Sequence, residues 1–107
     1  MRVLLDECTP RPLARELSDV NAVHVHDLGW HGRRNGVLLA GMLAEGITAL
    51  VTVDRNLAYR QNIPASGIAV IVLRAPRNRL RDLRPLLAEV RQVLASAVPG
   101  EVYLVGG

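Results

Sequence analysis

A chain of 107 residues has room for one modest core. With half of its residues apolar and 21% charged it reads as a single folded domain spanning residues 1–107, which excludes a disordered chain. Phe is absent and Trp30, Tyr59 and Tyr103 are the only aromatic residues, so the core must be aliphatic and single strands have few rings to stack on. Cys8 stands alone, which excludes an internal disulfide and a cysteine-based zinc site. All thirteen basic residues are Arg, and the net charge is +3. No signal-peptide pattern opens the chain and no apolar run approaches the ~20 residues that span a membrane, so a cytoplasmic protein without membrane contact is expected.

Val3 to Asp6 predicts a buried strand. Thr9-Pro10-Arg11-Pro12 then starts a helix, with Thr9 as the expected cap and proline tolerated in the first turn. Ala22 to His26 predicts the second strand, with His24 and His26 on one face. Asp27 to Gly36 is the longest irregular segment. A helix from Val37 to Glu45 follows and stops at Gly46. Ile47 to Val53 is the clearest strand, then a helical turn through Leu57, Tyr59 and Arg60. Ile68 to Leu73, apolar throughout, predicts a central strand. A long amphipathic helix is expected from Asp82 to Val98, continuous if Asp82 caps it and kinked at Pro85 otherwise. Glu101 to Val105 reads as a last strand at the sheet edge. Alternating strands and helices predict an α/β fold, a three-layer α/β/α sandwich around a mostly parallel sheet.

Four of the ten acids fall where predicted strands end: Asp6, Glu7, Asp27 and Asp54. The carboxyl ends of strands form the ligand-binding rim of such a sheet. Carboxylates gathered there need a counter-charge, and a divalent cation with oxygen ligands is the usual one. Pleat alternation lets only one of Asp6 and Glu7 aim at a shared metal, and Asp6 is favoured. Thr52-Val53-Asp54 puts a hydroxyl and a carboxylate on one side of the backbone, so Thr52 is expected to orient a ligand from behind. Asp54 can at the same time cap the following turn through one oxygen.

The runs V-L-L-D-E-x-x-P-x-x-L-A-R-x-L, V-x-D-L-G and V-T-x-D-R-N-L resemble, in matching order over the first three quarters of the chain, the small bacterial PIN-like proteins. The resemblance implies a PIN-like fold and a ribonuclease dependent on Mg²⁺ or Mn²⁺. It also implies the toxin of a type II toxin–antitoxin pair, with RNA as substrate and a cognate antitoxin as partner. It makes Asp6, Asp27 and Asp54 catalytic, adds Glu7 to the metal ligands, and implies in-line attack by an activated water that leaves a 5′-phosphate and a 3′-hydroxyl. Two positions depart from the pattern. Asn35 and Asn56 stand where the family commonly has acids, so they can support a ligand set through their carbonyls but bring no charge.

Arg74, Arg77, Arg79, Arg81 and Arg84 form one basic cluster, Arg33-Arg34 a second, and Arg55 and Arg60 a third. With Arg11, the residues Arg33, Arg34, Arg55, Arg74 and Arg77 are the expected contacts to a nucleic-acid backbone, because guanidinium forks match phosphate oxygens. For any single Arg a local pair such as Arg79 with Asp82 is the simpler expectation. Trp30 is expected either to anchor an interface or to fold back on the core, and the histidines to be structural rather than zinc ligands. The alternative function is a PIN-like module that binds RNA or a protein without cleaving. A receiver domain is set aside because the chain has no Lys, and a dinucleotide-binding fold because no G-x-G-x-x-G follows the first strand. The last strand and the apolar face of the long helix allow a homodimer.

Overall fold

Five apolar runs become five parallel strands in the computed structural model, which describes residues 2–107. They are β1 (Arg2–Leu5), β2 (Ala22–His24), β3 (Ile47–Thr52), β4 (Ala69–Arg74) and β5 (Val102–Gly106), in the order β2-β1-β3-β4-β5. β3 and β4 lie inside the sheet and are buried almost from end to end, as unbroken aliphatic runs require. Between them run α1 (Leu13–Glu16), α2 (Asn35–Ala44), α3 (Leu57–Arg60), α4 (Ile63–Ser66), α5 (Leu80–Leu83) and α6 (Leu87–Ser96).

The pleat sorts the strand residues into two cores. Val3, Leu5, Ala49, Val51, Ile71 and Leu73 face α1, α5 and α6, meeting Leu13, Leu17, Leu83, Leu87, Val90 and Leu94. Leu4, Leu50, Val70 and Val72 face the other way, against Leu38, Leu39 and Met42 of α2, Leu57 of α3 and Ile63 of α4. This is the three-layer α/β/α sandwich. The chain passes from β1 to β2 over the α1 face, then from β2 to β3 and β3 to β4 over the α2 face. The sheet therefore reverses direction between β1 and β3, which makes that gap the topological switch point. The last connection, β4 to β5, runs over the α1 face while moving in the same direction as the two before it. Its hand is thus opposite to the other three, an arrangement rare among parallel crossovers.

Three local expectations change. Thr9 does not cap α1: its hydroxyl donates to the Asp6 carbonyl at 2.7 Å, and Pro12 stands at the helix start without a side-chain cap. The last helix is not continuous. It begins at Leu80, so Asp82 is no cap and Pro85 falls past the first turn, where its missing N–H and its ring break the ladder into a 3₁₀ turn, Arg84–Leu86, before α6. β2 ends at His24 rather than His26, and Val25–Leu28 winds into a 3₁₀ turn.

His24 causes that early end. Its buried ring accepts from the His26 backbone N–H on Nδ1 at 3.1 Å, which leaves Nε2 to donate to the Thr9 carbonyl at 2.8 Å. The imidazole thus caps the turn and ties it to the β1–α1 loop. His26 and His31 stack on it in turn, with centroids 5.5 and 5.1 Å apart. Replacing His24 by Leu leaves two polar backbone groups without partners, and a loss of about 2–4 kcal/mol in urea unfolding is expected. A loss well under 1 kcal/mol would remove the ring from this role.

Arg91 of α6 joins the α1 side of the fold, donating to the Glu16 carbonyl at 2.6 Å and to Asp19 at 2.9 Å. Hydrogen bonding from Arg91, then its charge, holds the Asp19 carboxyl below its ordinary pKa; Arg79 does the same to Asp82. A depressed carboxylate pKa contributes stability above the unfolded pKa, and the contribution is lost as pH falls through the folded one. Arg91→Gln is therefore expected to lower the urea midpoint at pH 7. The gap from the parent should narrow as the carboxylates protonate and as salt rises. A gap that persists in acid would assign the effect to the Glu16 carbonyl bond alone.

Candidate metal centre

β1 delivers Asp6 and β3 delivers Thr52 and Asp54 to the carboxyl rim on either side of the switch point. Asp6 is 8% exposed and Thr52 fully buried. The Thr52 hydroxyl donates to Asp6 Oδ2 at 2.7 Å and accepts from the Asp54 N–H at 3.0 Å. One side chain thereby links the Asp6 carboxylate to the Asp54 backbone, a contact that the T-x-D spacing alone does not specify. Asp6 Oδ1 accepts from the Glu7 N–H at 2.8 Å, and the Cys8 thiol lies 3.5 Å from Asp6 Oδ2 and 3.4 Å from Thr52 Oγ1. Burial pushes the Cys8 thiol above its ordinary pKa; the Thr52 hydrogen bond opposes this and the Asp6 charge adds to it. The residue as a whole is exposed, and its thiol serves as a hydrogen-bonding group with the thiolate disfavoured.

Asp54 accepts the Asn56 N–H on Oδ1 at 2.9 Å, the capping expected of it, and keeps its other oxygen for the cleft. Asn56 is exposed and contributes its backbone, not its carbonyl oxygen. Asn35, the first residue of α2, lines the same cleft as Asp6, Glu7, Cys8, Arg33 and Asp54. Glu7 turns aside: its Oε1 accepts from the Gly32 N–H at 2.5 Å and so holds the Gly-rich loop against the end of β1. Gly32 has a φ of +80°, which a side chain would strain.

Asp27 is not brought to the cleft. Because β2 ends at His24, the 3₁₀ turn carries Asp27 to the α1 side, where it pairs with Arg11 and lines a separate groove with Pro12 and Arg15. The expected meeting of four acids therefore reduces to Asp6 and Asp54 with Glu7 at the margin. Among the described residues, no group of three or more His, Cys, Asp or Glu side chains is placed to hold a metal ion. A closed cage for Ca²⁺ or Zn²⁺ does not fit this donor set. A Mg²⁺-type site fits better, since that ion keeps several waters and takes one or two carboxylates with substrate phosphates. Asp6 and Asp54, with the Asn35 carbonyl, offer that number of oxygens. Neither acid has an ion-pair partner among the described residues, so the charge of the buried Asp6 is met by hydrogen bonds alone.

The arginines divide by partner. Arg11 is taken by Asp27, and Arg74 donates from Nε and Nη2 to the Gly106 carbonyl at 3.2 and 2.9 Å. Gly106 is required there, because a Cβ would lie 2.4 Å from the Arg74 carbonyl oxygen. Arg33 stacks 4.5 Å over the Trp30 ring, and Trp30 itself folds back against the α2-side core. Arg34 lines a second cleft with Arg60 and Gln61; it shares Asn35 and Asp54 with the first, so the two are continuous. Arg55 and Arg77 border grooves beyond β3 and β4. The hydrogen bonds of Cys8 and Glu7 were the contacts that no spacing signals, since both depend on loops closing over the rim.

No protein-family model, curated protein or solved structure matches this chain. Thr52→Val removes the hydroxyl while keeping the shape, leaving the Asp54 N–H unpaired and Asp6 one donor short. An unfolding free energy lower by about 1–3 kcal/mol is expected, with Thr52→Ser recovering most of it. A Thr52→Val variant as stable as the parent, with Thr52→Ser the weaker of the two, would show that the methyl group matters and the hydroxyl does not.

Proposed function

We propose that this chain is a PIN-like, Mg²⁺- or Mn²⁺-dependent ribonuclease, the toxin of a type II pair, acting in the cytoplasm with a small antitoxin as its protein partner. The observation that carries the reading is Asp6: a buried carboxylate without an ion-pair partner, fixed by the Thr52 hydroxyl in a cleft it shares with Asp54. Burying an unpaired charge is costly, and a cation at the mouth of the cleft relieves that cost.

Asp6 and Asp54 would hold the ion, with Asn35 a neutral third donor. The bound ion would supply neutralisation of phosphate charge and a water of lowered pKa. Thr52 and the Glu7 N–H keep the Asp6 oxygens aimed, so no reorganisation is needed when substrate binds. Arg34 and Arg60 flank Asp54 in the continuous cleft, and Arg33 borders Asp6; guanidinium groups so placed suit phosphates on both sides of the one being cleaved. Two carboxylates support one ion. Asn35 and Asn56, where acids would be needed for more, argue against a second.

The same two asparagines favour the other reading, a module that binds RNA without cutting it. Incubating RNA with Mg²⁺, Mn²⁺ or EDTA separates the two. Cleavage in either metal, abolished by EDTA and reduced more than about a hundredfold by Asp6→Asn or Asp54→Asn, is expected. Asp27→Asn should cut as the parent does. Salt-sensitive RNA binding with no cleavage in any metal would leave the binding module in its place.

A further inference from the structure

The two edges of the sheet are finished differently. β2 is three residues long, and the chain leaves it at once into a 3₁₀ turn that carries the exposed His26 and Asp27. Such an edge offers little for another strand to pair with. β5 runs for five residues, Val102-Tyr103-Leu104-Val105-Gly106, in unbroken register with β4. It contains no charge, no proline and no bulge, the devices by which edge strands are kept from pairing.

Its open side can be assigned residue by residue. The Val70 N–H donates to the Glu101 carbonyl at 3.0 Å, and alternate residues of a strand serve opposite neighbours. Glu101, Tyr103 and Val105 therefore bond to β4, while Val102 and Leu104 turn their N–H and C=O groups outward; the Gly106 carbonyl is instead taken by Arg74. Val102 and Leu104 also share the face that α2 and α4 leave uncovered at this end, and they are 36% and 54% exposed. Ladder groups and apolar side chains thus lie free on the same two residues.

We propose that β5 is the seat of a homodimer, in which a second copy adds its own β5 antiparallel about a two-fold axis at Tyr103. That register sets Val102 of each copy opposite Leu104 of the other. Both pairs then exchange two N–H···O=C bonds and close their apolar side chains on one another. A slip of one residue turns the outward groups away. A slip of two, centred on Leu104, sets Val102 against Gly106, which has no side chain to cover it.

Charge favours a second copy as the occupant. Glu101 marks one end of the strand, and the Arg74 guanidinium, bound to the Gly106 carbonyl, marks the other. Antiparallel pairing brings the acidic end of each copy to the basic end of its mate; a parallel mate would set like ends together. Between those ends the edge is neutral, in a chain with thirteen Arg. Two copies can therefore meet there without opposing their basic rims. The result is one ten-stranded sheet whose two clefts open at opposite ends, so the dimer leaves both accessible.

Sedimentation equilibrium of the full chain from micromolar to millimolar concentration tests this. A reversible dimer is expected, weakened about tenfold or more by Leu104→Lys, whose exposed position leaves the monomer's circular dichroism unchanged. Amide exchange in the parent protein gives a second readout that needs no variant: Val102 and Leu104 should slow as concentration rises. A monomer throughout, or a dimer in which these amides exchange as freely as in the monomer, overturns the proposal. An edge occupied only when a foreign peptide is added overturns it equally.

Discussion

One hydrogen bond holds the functional end of the molecule together: the Thr52 hydroxyl donating to Asp6 across the junction of β1 and β3. The two strands are neighbours only because the chain reverses its direction through the sheet between them, and that reversal is what opens a crevice at their carboxyl ends. A buried carboxylate at such a crevice needs hydrogen-bond donors, and Thr52, Cys8 and the Glu7 N–H are the ones it has. The same hydroxyl receives the Asp54 N–H, so the two acids are positioned as a unit. Glu7, set free by the pleat, fixes the Gly32 loop that forms the opposite wall.

Charge is distributed around this point in a consistent way. Arginines on or near the α1-side helices are largely spent on the fold: Arg84 pairs with Glu16, Arg91 with Asp19, Arg79 with Asp82, and Arg11 with Asp27. Those bordering the clefts, Arg33, Arg34, Arg55 and Arg60, have no carboxylate partner among the described residues. Exposed ion pairs contribute little to stability, so the pairing matters less for its energy than for what it leaves over. The surplus of positive charge lies where the two linked carboxylates are, which suits a polyanion bridged to them through a cation.

The sheet was legible because its signals are local. Ile47 to Thr52 and Ala69 to Arg74 are runs too apolar to be anything but central strands. What could not be read depends on contacts distant in sequence. Asp27 looks like a strand-end acid until His24 reaches Thr9, fifteen residues away, and ends β2 early. Asn78 reaches the Cys8 carbonyl across seventy residues and draws the basic loop over the rim. Arg74 looks like a phosphate ligand until Gly106 is seen beside it. Asp27 and Arg74 were each of a type right for two roles, and a contact between segments distant in sequence decided between them.

The reduction from four acids to two changes how metal and RNA would depend on each other. Two carboxylates and an amide oxygen leave roughly half of an octahedral ion's positions to water. An ion held so loosely by the protein gains most when a phosphate replaces one of those waters, because the phosphate adds charge that Asn35 does not. Affinity for the ion should then rise when RNA is present, and by reciprocity affinity for RNA should rise by the same factor when the ion is present. A four-acid cage would bind its ion whether or not substrate came. On the proposed reading a two-acid cleft would tie the ion to the substrate, and the neutral residues at 35 and 56 would favour that second regime over the first.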